Sequence, residues 1–257
     1  MDELIYKIEK AVRHCGLELL DVKNENIEIE IKEGIGNFVT QYDKKVQEEL
    51  QCELLNILPE ANFVGEEENL HAEILENGYT FIIDPIDGTT NFSRNLGMSS
   101  ISVGLLKDGK PYIGVCYNPY RNEMFMAQKD KGAYLNGKRI YVSEKVLKEG
   151  IVFSGSAPYY SNIRERSIKV LFNFMKVATD FRRFGSAVIE LCNIACGRGE
   201  VFFELKLQPW DYAAGVLIVE EAGGKVTTIE GKEVSFDKPC SIIASNNKED
   251  YLKYINY

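Results

Sequence analysis

Three short acidic stretches carry the residue types that could do chemistry in this chain. They are Gly65-Glu66-Glu67-Glu68, Asp84-Pro85-Ile86-Asp87-Gly88-Thr89-Thr90, and Pro209-Trp210-Asp211. Carboxylates brought close together repel one another. Two of them about 4 Å apart cost roughly 4 kcal/mol at an effective dielectric near 20. A fold that gathers them needs something to offset that repulsion, and a hard divalent cation is the simplest candidate. Mg²⁺ takes oxygen ligands and keeps several waters, so carboxylates plus one carbonyl suit it. Two such ions side by side form the clamp used for phosphoryl transfer, stabilising both the attacking and the leaving oxygen.

Each stretch also has a plainer reading. Glu66, Glu67 and Glu68, read alone, are a solvated charge run. Asp84 and Asp87 serve equally as turn chemistry around Pro85. Asp211, at the start of a helical pattern, is most simply an N-cap. Other motifs fail outright. Gly132 to Arg139 (GAYLNGKR) is one residue short of a phosphate-binding P-loop, and Arg139 stands where Ser or Thr should hold Mg²⁺. Its Asn136-Gly137 pair predicts a hairpin turn instead. GIGNFV lacks the third glycine of a dinucleotide fingerprint. With only His14 and His71 and no G-x-S-x-G elbow, histidine-based nucleophilic catalysis is not supported.

The elements that must position these acids follow from periodicity. The first 20 residues place Leu4, Ile5, Ile8, Val12 and Cys15 at helical spacing, with charges throughout, which predicts an amphipathic helix and not a signal peptide. Ile27 to Ile31 alternates like a strand, and a helix is expected from about Gln41 until Pro59 ends it. Phe81-Ile82-Ile83 reads as a short buried strand running straight into Asp84, with a helix able to begin at Gly88-Thr89. From Ser99 to Arg139, strand-like runs alternate with Asp-Gly, Asn-Pro and Asn-Gly turns, an antiparallel meander. GIVFSGSAP opens a second half of intermixed strands and helices, with helices expected at 162–176, 186–196 and 211–221 and further strands at VTTIEGKEV and SIIASN. The chain reads as one catalytic unit, 1–257, in halves 1–145 and 146–257, with the seam near Val142–Gly150.

Composition narrows the class. Of 257 residues, 45% are hydrophobic and the formal net charge is −9, an ordinary globular balance that argues against general nucleic-acid binding. The six cysteines show no disulfide rhythm and no zinc spacing, so they are expected as reduced, mostly buried thiols. No apolar run approaches the ~18 residues of a membrane span, and the expected location is cytoplasmic. The Asn91-Phe92-Ser93 sequon is therefore expected to carry no glycan.

Taken in order, G-E-E, D-P-I-D-G-T-T-N-F and W-D-x-A-A-G resemble the inositol monophosphatase family. So do Val39–Asp43 (VTQYD), Lys131–Gly137 (KGAYLNG), Arg182–Ala187 (RRFGSA) and Glu221–Gly224 (EAGG), over essentially the whole chain. The resemblance implies an α/β fold of the five-layer αβαβα sandwich type, homodimeric, hydrolysing a small phosphorylated polyol or sugar such as inositol 1-phosphate in a Mg²⁺-dependent, Li⁺-sensitive reaction. It implies one metal on Glu66, Asp84 and the Ile86 carbonyl, and a second on Asp84, Asp87 and Asp211. A third Mg²⁺ would arrive with phosphate, and Mn²⁺ is an alternative ion. Asp43, Glu66 and Thr89 would be catalytic, with Thr89 beside the attacking water, and Glu67 would help position waters. Gly88 and Thr89 would open a helix toward the phosphate. Gly185, Ser186, Ala187 and Glu204, with Asp87 and Asp211, would receive the alcohol. Ser154 to Pro158 departs from the family's T-G-F-P-like pattern at Ala157, in the alcohol pocket. Relatives acting on histidinol phosphate, fructose 1,6-bisphosphate or a 3′-phosphoadenosine nucleotide are the alternatives, and a non-catalytic regulatory role is a third. Thr90 and Asn91 favour the inositol branch.

Overall fold

The computed structural model describes residues 1–22, 27–31, 38–67, 74–155 and 160–255. Helix α1 (Glu3–Asp21) buries Ile5, Ile8, Val12, Cys15 and Leu19, the three-and-four spacing that gives a helix one apolar stripe. Strands β1 (Ile29–Ile31) and β2 (Phe38–Thr40) pair antiparallel, and Thr40 then caps α2 (Gln41–Ile57), which stops just before Pro59. A seven-stranded sheet follows: β3 (Asn62–Gly65), β4 (Tyr79–Asp87), β5 (Ser100–Lys107), β6 (Lys110–Asn118), β7 (Glu123–Gln128), β8 (Gly132–Leu135) and β9 (Lys138–Arg139). Its strands lie in chain order, with β3 parallel to β4 and every other pair antiparallel. A single helical turn, α3 (Thr89–Ser93), sits between β4 and β5. Asn136 and Gly137 both take positive φ, 48° and 76°, so the tempting glycine-rich stretch is the turn of the β8–β9 hairpin.

The second sheet has five strands in the order β11-β10-β12-β14-β13. These are β10 (Ile151–Ser154), β11 (Asp180–Arg182), β12 (Val201–Leu207), β13 (Lys225–Thr227) and β14 (Cys240–Ser245). Helix α4 (Ser161–Met175) covers its outer face. Helices α5 (Ala187–Ala195) and α6 (Pro209–Glu221) fill the space between the two sheets. Every residue of α5 is buried, as are Tyr212 to Val219 of α6, because a helix with a sheet on either side has no wet face. Where α6 crosses β6, a side chain at Gly114 would meet the Ala214 carbonyl oxygen at 2.6 Å. That close approach seats the start of α6 against the sheet.

The layers are α1/α2, seven-stranded sheet, α5/α6, five-stranded sheet and α4, the expected αβαβα sandwich. One apolar cluster fills the space under α1 and α2, a second surrounds α5 and α6, and a third lies beneath α4. The stretch VTTIEGKEV is a strand only as far as Thr227. Beyond it, Gly231 N–H donates to the Thr228 carbonyl and the chain turns. All six cysteines are free; Cys15, Cys116 and Cys192 are buried, whereas Cys52 is exposed. Among the described residues no helix is long and apolar enough to cross a membrane.

Candidate active site

In a regular strand, residues three apart point to opposite faces. Asp84 and Asp87 would therefore be separated by the sheet were β4 regular. It is not. Asp84 stands opposite Ser102 and Asp87 opposite Ser100, so three steps along β4 match two along β5. This bulge returns Asp87 to the side of Asp84. The Ile86 amide donates to Asp84 Oδ1 at 3.0 Å and holds the turn, and Pro85 cannot compete for a ladder bond there.

Two further acids arrive by one shared device. Asp211 sits at the third position of α6 and Asp43 at the third position of α2, each completing a capping box. The Gln208 amide donates to Asp211 Oδ2 at 2.7 Å, and the Thr40 amide to Asp43 Oδ2 at 2.7 Å. Asp211 is thus not the N-cap that its place in the sequence suggests; Gln208 is. In both residues one carboxylate oxygen is committed to the helix end. For Asp43 the other oxygen, Oδ1, accepts from the Thr89 hydroxyl at 3.1 Å. The same hydroxyl lies 3.2 Å from the Ile86 carbonyl, so its one proton serves either acceptor.

Oxygens of Asp84, Asp87 and Asp211 all lie within 4.8 Å of one another. Glu66, just past the end of β3, completes the group electrostatically. Burial, and then the charges of Glu66, Asp87 and Asp211, push the Asp84 carboxyl well above its ordinary range. Burial likewise lifts Asp87 to about 7, against the opposing bonds from Ser186 and the Val188 amide. Asp211 is raised by burial and then by Asp87 and Glu66. Asp43 is raised to about 6, chiefly by burial. Such a group cannot hold all its charges at neutral pH without a counter-ion. Its donors are exclusively oxygen, which fits a hard divalent cation and no thiophilic one.

The expected substrate residues surround this group. Gly88 takes φ of +86°, and a side chain there would press on the Met98 and Gly185 carbonyls at 3.1 and 3.2 Å. The helix it opens is one turn long, too short to build a macrodipole. What remains of the expected positive helix end is the local amides alone. Ser186 caps α5 by accepting from the Ile189 amide at 3.2 Å, and its own hydroxyl donates to Asp87 Oδ2. The Val188 amide reaches the same oxygen at 2.8 Å. Ser186 is fully buried, so its side chain supports Asp87. Glu204, expected by resemblance to meet the alcohol, is buried on β12 and close enough to raise Asp211 and Glu190. Glu67 donates its amide to Gln47 at 2.9 Å. Glu68, His71, Ser156, Ala157 and Pro158 lie outside the described residues.

Two supporting residues make contacts that the motifs do not state. Asn91 Nδ2 donates to the Met98 carbonyl at 2.8 Å and to the Phe184 carbonyl at 2.7 Å, tying the loop after α3 to the one before α5. Glu190 accepts from the Phe184 amide at 2.6 Å, and burial pushes its carboxyl up to about 8. The signal for Glu190 was present: a lone acid inside the apolar run of α5.

Residues 1–256 match the model of the inositol monophosphatase family. The chain is 35% identical over 251 residues to an inositol-1-monophosphatase of Caulobacter vibrioides, covering 95% of this chain and 94% of that protein. It is 34% identical to a putative Nus factor SuhB of Neisseria meningitidis, over 93% of this chain and 92% of the other. The crystal structure of extragenic suppressor protein suhB from Bartonella henselae superposes with a TM-score of 0.92 at 33% identity, over 99% of each chain. Agreement of this extent in both sequence and backbone, with the acidic motifs folded into one pocket, makes this chain a member of the inositol monophosphatase family.

Proposed function

We propose that the protein is a divalent-metal-dependent phosphomonoesterase that hydrolyses inositol 1-phosphate or a similar small polyol phosphate. The observation that carries this reading is the convergence of buried Asp84 and Asp87 with half-buried Asp211 within 4.8 Å, with Thr89 and Asp43 alongside. Glu66, Asp84 and the Ile86 carbonyl would hold one cation, and Asp84, Asp87 and Asp211 another. When bound, Mg²⁺ supplies charge for the phosphoryl oxygens and makes a water acidic enough to attack phosphorus. The chain's own part is positional. Ser186 and the Val188 amide fix Asp87, the two capping boxes fix Asp43 and Asp211, and the Thr89 hydroxyl can pass a proton to Asp43 Oδ1 as it takes one from water. Gly88 lets the backbone approach the phosphate. Glu204 would accept hydrogen bonds from hydroxyls of the leaving alcohol. The same reading carries a homodimer in the cytoplasm and inhibition by Li⁺.

A panel of phosphate esters, scored by kcat/KM with Mg²⁺ and with and without Li⁺, tests the assignment. A polyol monophosphate should lead, activity should vanish in chelator, and Li⁺ should inhibit. A 3′-phosphoadenosine nucleotide preferred by tenfold or more would overturn the substrate. The 34% identity to a protein called a putative Nus factor SuhB favours a second reading, a regulatory role without turnover. That reading gains if no small phosphate ester is hydrolysed with Mg²⁺ or Mn²⁺.

A further inference from the structure

On the outer layer, far from the acidic pocket in chemistry, α1 and α2 pack against each other and gather a different set of donor atoms. One ring nitrogen of His14, Cys15 Sγ and a Glu53 carboxylate oxygen all lie within 4.8 Å of one another. His14 Nδ1 is 2.8 Å from Glu53 Oε1, and its Nε2 is 3.9 Å from Glu18 Oε1. Lys45 reaches Glu18 at 2.7 Å and Glu49 at 3.5 Å. Three glutamates therefore face one lysine and one imidazole, and the groove is negative whenever His14 is neutral. A separate observation points the same way. Glu49 Oε2 is buried in this groove and has no hydrogen-bond partner, a costly state for a polar acceptor even with Oε1 3.5 Å from Lys45. The Cys15 thiol, buried and close to Glu53, Glu49 and Glu18, is pushed up to about 12.

We propose that the α1–α2 groove binds a thiophilic divalent cation of the Zn²⁺ class, with His14, Cys15 and Glu53 as its three protein ligands. Imidazole, thiolate and carboxylate are the donors Zn²⁺ takes, and three of them leave the fourth tetrahedral position to water. The same set is wrong for Mg²⁺, so this site and the all-oxygen pocket select different ions. Binding breaks the Cys15 S–H bond, releases its proton to solvent and forms a sulfur–metal bond. The cation also adds positive charge where Lys45 alone is shared by Glu18 and Glu49. Tetrahedral Zn²⁺ sets ligand atoms about 3.3–3.6 Å apart. His14 Nδ1 and Glu53 Oε1, 2.8 Å apart, must therefore separate slightly, a rotamer-scale change at the exposed imidazole. Loaded, the site ties α1 to α2, the helix whose first turn holds Asp43.

The test is titration of the intact protein with Cd²⁺ in excess Mg²⁺, read by the ultraviolet thiolate-to-Cd²⁺ charge-transfer band. The expected result is a band saturating at one ion per chain, lost in C15S and retained in C52S. H14Q and E53Q should weaken the midpoint by at least ~10-fold, since even outer-shell partners are worth that much. D211N should leave it unchanged. No band at saturating Cd²⁺, or a band that survives C15S or disappears in C52S, overturns the proposal. Should C15S fail to fold, H14Q and E53Q decide, both changing side chains that reach solvent. Unshifted midpoints in both, with wild-type circular dichroism, also overturn it.

Discussion

Glu190 offers the sharpest check on the electrostatics of the pocket's supports. Its carboxyl is 1% exposed, and burial raises it from an ordinary 4.5 to about 8, opposed mainly by the bond from the Phe184 amide. Folding therefore takes up a proton at Glu190 wherever the pH lies between those values. The stabilisation is complete below about pH 4.5 and is lost as pH rises through about 8. Between about pH 6 and about pH 8 the loss comes to about 2 kcal/mol. E190Q keeps an oxygen for the Phe184 amide and cannot ionise. Urea unfolding of both proteins in one buffer series should show the wild type losing about 2 kcal/mol more than E190Q over that interval. E190A instead strands the Phe184 N–H and should cost about 1–3 kcal/mol even at the lower pH. Because Phe184 precedes Gly185 and Ser186, E190A should also depress kcat at pH values where E190Q does not. Parallel pH dependences for wild type and E190Q would refute the reasoning, since they would mean that Glu190 is already ionised in the fold.

Other expectations rest on single residues. D87N retains an oxygen for Ser186 and Val188, so the fold should persist by circular dichroism while Mg²⁺-dependent turnover falls by at least ~100-fold. G88A forces an L residue to φ of +86° beside the Met98 and Gly185 carbonyls. It should lower stability by about 2 kcal/mol in urea unfolding and reduce turnover as well. N91A removes both bonds from Asn91 Nδ2 and should cost about 2 kcal/mol, measured the same way.

Local physics made much of this protein readable before folding was considered. The apolar stripe of α1 repeats at the helical period, and Asn136-Gly137 announces its turn by conformational preference alone. The acidic motifs announce oxygen chemistry through residue type. Even the capping boxes of Asp43 and Asp211 involve neighbours only three residues away. Their double use, with one oxygen for the helix and the other side of the carboxylate for the pocket, is not local. It depends on where α2 and α6 begin relative to β4. The bulge is similar: nothing in D-P-I-D states that three steps of β4 will match two of β5, because register belongs to the pair of strands. Burial is the last such quantity. Glu190 stands out along the chain only as an acid in an apolar run and Glu204 only by resemblance, and both become supports of the pocket because two sheets close over α5 and α6. Residue type and spacing therefore determined which chemistry was available. Only tertiary structure decided which oxygens meet, how dry they are and how far their protons are held, since those depend on surfaces brought together from distant parts of the chain.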